Sequence, residues 1–149
     1  MKKICWFLTL VLLLGCFAGC QAAPEAQPST QLSIENEDGT LSDWMKEETE
    51  AAYQKQFGVR LGWPEDPADD DVRYYGTENG YVFIFVRGVF QNVGRVEIAG
   101  RTFTYDKHFH LYAYRDGKFI ALKDAFEQGL VSESAVDNAQ KIHLDYKKQ

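Results

Sequence analysis

Residues 108–114 read HFHLYAY, so His108, His110, Tyr112 and Tyr114 recur at every second position. In an extended strand these four side chains project to one side, while Phe109, Leu111 and Ala113 project to the other. Two imidazoles at that spacing can hold one metal ion, but a zinc site calls for a third protein ligand. His143 is the chain's third histidine, and Glu97 and Asp106 are the carboxylates that could complete a set in principle. None has the spacing of a metal motif, so the pattern predicts no metal and no cofactor. What remains is an open sheet face or a recognition surface, where Tyr, Arg and His are apt contact residues. The candidate binding face is therefore His108, His110, Tyr112, Tyr114 and Tyr75, with Arg73 and Arg95 beside them.

Other chemistry finds less support. The serines are Ser29, Ser33, Ser42, Ser132 and Ser134, none within a Gly-x-Ser-x-Gly elbow. Gly76 and Gly80 do not open a helix, as the glycines of a phosphate-binding loop would. The 22 carboxylates could include a glycosidase-like pair, but such a pair is defined by its separation in space. The stretch GWPEDPADDDV crowds five acids together without the alternation, central glycine and closing Glu of a calcium loop. It reads as a solvated acidic loop. Cys5, Cys16 and Cys20 all lie near the start, so the rest of the chain carries no disulfide and no thiolate nucleophile. An enzyme is not supported.

The opening MKKICWFLTLVLLLGCFAGCQ pairs two lysines with an apolar run and then small residues before a cysteine. This is the layout of a secretory signal, too short for a spanning helix retained in the mature protein. Phe17-Ala18-Gly19-Cys20 resembles the lipobox of bacterial lipoprotein signals, with Phe17 where Leu is usual. The resemblance implies diacylation of Cys20 and cleavage before it. Leu13-Leu14-Gly15-Cys16 is a second possible box, with a large Leu14 where a small residue is usual. Cleavage at Cys20 removes two lysines and no acid, moving the formal net charge from -6 to -8. An acidic domain repels nucleic acid and anionic lipid, so the lipid would hold it to the membrane.

Three segments follow: a signal over 1–19, the lipidated cysteine with a Pro-, Gln- and acid-containing tether over 20–39, and one globular domain over 40–149. TLSDWMKEETEAAYQKQFG predicts a helix capped by Thr40 or Ser42 and closed by Gly58, with Leu41, Trp44, Met45, Ala51, Ala52 and Phe57 on its apolar side. From Val72 the period becomes two, and Asn79-Gly80 and Asp116-Gly117 mark tight hairpins. Val82 to Val86 is apolar at every position, as in a central strand covered on both faces. LKDAFEQGL and SESAVDNAQKIHLDY close the chain as two helices, the first stopped by Gly129 and the second capped by Ser132. The fold class is α+β: an N-terminal helix, an antiparallel meander of four to six strands, and two C-terminal helices on one sheet face. The helices most simply cover the same face, leaving the other open.

YYGTENGYVFIFV and FHLYAYRDGKFIALKDAFEQGLVS resemble segments of small uncharacterised exported lipoproteins of Gram-positive gut bacteria. The matching residues are Tyr75, Gly76, Thr77, Asn79 and Gly80, then Tyr114, Asp116, Gly117, Phe119, Leu122, Ala125 and Phe126. The resemblance implies the fold and an exported setting, and it lends no catalytic residue. Together these features predict a membrane-anchored, extracytoplasmic, non-catalytic binding module of the cell envelope, with a protein or cell-wall partner and no nucleic acid. The alternatives are an inhibitor of an extracellular enzyme and, behind it, a cell-wall hydrolase.

Overall fold

A computed structural model of the chain describes residues 32–65, 71–88 and 93–148. Cys16, Cys20, the signal and residues 20–31 of the tether lie outside the described residues.

The first helix, α1 (Asp43–Phe57), buries Met45, Thr49, Ala52 and Tyr53, one stripe at helical spacing. Ser42 is its N-cap residue, but the Ser42 hydroxyl makes no capping bond, and the Ser42 carbonyl accepts from Met45 N at 3.1 Å. Gly58 ends the helix at φ 75°, a left-handed conformation that costs glycine nothing. Ala51, expected on the apolar side, is exposed, and Tyr53 takes that role.

Six strands follow: β1 (Val72–Glu78), β2 (Tyr81–Arg87), β3 (Gly94–Ile98), β4 (Arg101–Tyr105), β5 (Phe109–Arg115) and β6 (Lys118–Ala121). They do not form one meander. β1-β2-β5-β6 make a four-stranded antiparallel sheet, and β3-β4 form a separate hairpin inserted between β2 and β5. Asn79 and Asp116 sit at φ 50° and 49° ahead of glycines, the geometry the two predicted turns require. α2 (Leu122–Glu127) and α3 (Glu133–Tyr146) complete the fold, the latter capped by Ser132 Oγ accepting from Ala135 N at 3.1 Å.

The sheet is buried on both faces. Phe83, Phe85, Phe109, Leu111 and Ala113 pack with Ile98 and Phe103 of the hairpin and with Leu122, Ala125, Val136 and Ala139 of α2 and α3. Val82, Ile84, Val86, Tyr114 and Phe119 pack on the opposite side with Leu41, Met45, Ala52 and Tyr53. β2 serves both layers, as its unbroken apolar run predicts. The two C-terminal helices share a face as expected, but α1 covers the other, so no sheet face is left open.

The domain also begins earlier than Thr40. Ser33 to Gln149 form one compact unit. Glu35 and Leu41 make an antiparallel bridge around a turn in which Asn36 N donates to Thr40 O at 2.8 Å, and Trp44 Nε1 donates to Ser33 O at 2.8 Å. The described end of the run that reads as tether, residues 33–39, thus enters a turn with local backbone hydrogen bonds.

Candidate functional site

The proposed binding face does not exist as a surface. Tyr114 is 1% exposed beneath α1, with its hydroxyl donating to Glu48 Oε1 at 2.6 Å. Tyr112 lies against Phe57 and Tyr53, ring centroids 5.4 and 6.0 Å apart. Burial pushes both phenol pKa values above their usual range. Tyr75 projects to the opposite face, 2% exposed, where its hydroxyl meets His143 Nδ1 at 2.7 Å. Strand alternation explains the split: Val72 and Tyr74 face α1, whereas Arg73 and Tyr75 face α3.

His108 and His110 stay together, ring centroids 4.8 Å apart, with His110 exposed. They border a depression of about 580 Å³ that also takes in Arg60, Asp71 and Arg87. Asp71 and Arg87 are an ion pair at 2.5 Å. Desolvation, and then the neighbouring His108, lower the His110 pKa. Among the described residues no group of three or more His, Cys, Asp or Glu side chains is placed to hold a metal.

His143 is a core residue. It is 1% exposed, and Nε2 lies 2.8 Å from Thr104 O. A carbonyl only accepts, so Nε2 carries the proton and Nδ1 accepts from the Tyr75 hydroxyl. Desolvation lowers the His143 pKa. The bonds tie α3 to β1 and β4, and burial leaves no room for a substrate.

The chemically open region is the outer edge of β1. Arg87 N donates to Asp71 O at 2.7 Å, which makes 71:87 a hydrogen-bonded pair. Since Arg73 stands opposite Phe85 two residues along, that pair is bonded in the same way. The N–H and C=O of the intervening Val72, and of Tyr74, therefore point away from the sheet. The register shifts between Tyr74 and Thr77, and Gly76 adopts φ 99° within the bulge. Beyond that edge lies a cavity of about 420 Å³, with Leu41, Trp63, Val72 and Tyr74 on the α1 side and Arg73 and Tyr146 on the α3 side. A second depression of about 490 Å³ shares Glu35, Gly76 and Ile142 with it, so the two run together past the bulge.

Arg73 is the cation of this cleft. Its guanidinium sits 4.1 Å from the centroid of the Tyr146 ring. No described carboxylate pairs with it, and its Nε is buried without a hydrogen-bond partner. Glu35 at the rim is already engaged, accepting from the Tyr74 hydroxyl. Sequence reasoning placed Arg73 beside the histidines; a glycine inside a strand pattern, Gly76, was the available signal for an irregular edge.

No family model, curated protein or solved structure matches this chain.

Proposed function

We propose that this chain is an exported lipoprotein, anchored through Cys20 on the extracytoplasmic side of the membrane, whose globular domain is a non-catalytic binding module of the cell envelope. The observation that carries the binding reading is the cleft along β1, where apolar walls, outward backbone groups and a guanidinium with no carboxylate partner among the described residues converge. Binding sites combine apolar lining with a few placed polar groups in this way. The anchor rests on the small residues before Cys20 and the polar stretch after it. An inhibitor of an extracellular enzyme would need aromatics projecting from a rigid sheet, whereas Tyr112 and Tyr114 pack against α1.

The test is made in cells. Radiolabelled palmitate is expected to mark the parent and not Cys20→Ala; loss of label in Cys16→Ala alone would move the anchor, and equal labelling of all three would remove it. A photo-crosslinking residue at Lys141, on the rim of the cleft, is expected to yield envelope adducts that the same residue at Lys118 on β6 does not. Equal yields from both positions would overturn the binding reading.

A further inference from the structure

The cleft has the features of a strand-accepting site. Resting on the binding-module reading above, we infer that its ligand is an extended peptide that adds to the β1 edge and places an acidic side chain, flanked by apolar ones, beside Arg73.

Three observations lead there. First, the outward N–H and C=O groups of Val72 and Tyr74 are spaced for a partner strand, which needs no particular side chains to pair with them. Second, the side chain of a docked residue beside Arg73 projects to the Arg73 face, and its two neighbours project to the other. That other face presents Leu41, Trp63 and Tyr74, a wall suited to apolar groups. Third, Arg73 has no carboxylate partner among the described residues, and its guanidinium stacks on Tyr146. A guanidinium so placed is ready to take a carboxylate through two hydrogen bonds. The charges are complementary at this point although the domain as a whole is acidic. Lys46 also borders the cavity, paired with Asp43 at 3.2 Å, while the acid that lines it, Glu35, accepts from Tyr74.

The bulge sets the length. Regular edge geometry spans Val72 to Tyr74 and is broken at Gly76, so about three peptide residues, roughly 10 Å, can pair before the ladder ends. The core motif is apolar, acidic, apolar. A long uniform strand would be refused at the bulge, which is also a device that limits indiscriminate edge pairing.

The experiment uses the full chain purified in mild detergent and a blocked heptapeptide, Ser-Thr-Val-Glu-Val-Thr-Ser, with its central Glu replaced by Gln as the comparison. Affinity is read by titration calorimetry, and backbone contact by amide hydrogen exchange. The parent is expected to bind the Glu peptide about tenfold more tightly than the Gln peptide, a difference of about 1.4 kcal/mol. Arg73→Gln is expected to erase that preference while still binding the Gln peptide, and bound peptide is expected to slow exchange at Val72 and Tyr74. The Glu-to-Gln comparison on unaltered protein keeps the test valid if Arg73→Gln folds poorly. Equal affinity for the two peptides, no binding of either, or binding that leaves Val72 and Tyr74 exchange unchanged would overturn the proposal. So would a peptide-free doubling of mass with those amides already slow, which would mean that a second copy fills the edge. Envelope adducts from Lys141 alongside failed peptide binding would sink this ligand and leave the binding-module reading standing.

Discussion

At one edge of the four-stranded sheet, the Gln56 side chain accepts from Phe119 N and donates to Phe119 O, both at 2.9 Å. A side-chain amide from α1 thus completes β6 much as a neighbouring strand would. At the other edge, Val72 and Tyr74 turn the same kinds of group into a cleft whose arginine has no carboxylate partner among the described residues. Unpaired strand edges are a liability that folded proteins usually cover. Here one is covered by a single well-aimed residue and the other is narrowed by a bulge. The difference shows that the fold has the means to close an edge and applies them unevenly. The open edge is where recognition is to be sought.

The largest effect is expected from breaking the closed edge through its packing. Phe119 is 5% exposed among the rings of Tyr53, Tyr112 and Tyr114, so Phe119→Ala should cost about 3–5 kcal/mol through lost burial and the cavity left behind. Urea denaturation measures it, and a loss below 1 kcal/mol would mean that β6 is not part of the core.

A pH series probes the layer that carries the open edge. His143 is buried neutral, and its folded-state pKa is below the unfolded value because of desolvation, with Lys147 and Arg73 opposing its protonation further. The unfolded chain therefore binds a proton first as pH falls, so stability should be full above the unfolded histidine pKa of about 6.5 and decline below it. Urea midpoints compared between pH 7.5 and 5.5 should fall in the parent and fall less in His143→Gln. Equal falls would assign the dependence elsewhere.

Gln56→Ala sharpens the comparison by making the two edges alike. Loss of two partly exposed hydrogen bonds should cost about 0.5–1.5 kcal/mol. The newly unpaired β6 should then show concentration-dependent association by sedimentation. An unchanged midpoint together with an unchanged mass would show that Gln56 closes nothing. The smallest effect is expected at His110, which is exposed: His110→Ala should stay within about 0.5 kcal/mol in the same urea titration. A drop of several kcal/mol would show that it supports the core.

Much of the fold was legible because its signals are local. The run Val82 to Val86 announced a strand buried on both sides, and Asn79-Gly80 and Asp116-Gly117 announced hairpins. The face assignment of Phe109 and Leu111 was equally readable from alternation. The site was not, for three physical reasons. Tyrosine is ambiguous: Tyr114 looks polar-tipped, yet its ring is buried while only its hydroxyl reaches a partner, Glu48. The stripe of α1 includes Thr49 and Tyr53, so its burying face is blurred and gives no hint of which sheet face it covers. The edge closure depends on Gln56 and Phe119, 63 residues apart, which no local pattern connects.

The central claim is that β1 is open where β6 is closed, and amide hydrogen exchange of the free protein tests it most directly. Phe119 N–H, held by Gln56, and Arg73 N–H, paired into β2, should exchange slowly. Val72 and Tyr74, the residues either side of Arg73, should exchange much faster, a fast-slow-fast alternation along three consecutive positions. Exchange at Val72 and Tyr74 as slow as at Arg73, without added peptide and at dilution, would mean that the edge is already covered and would contradict the account.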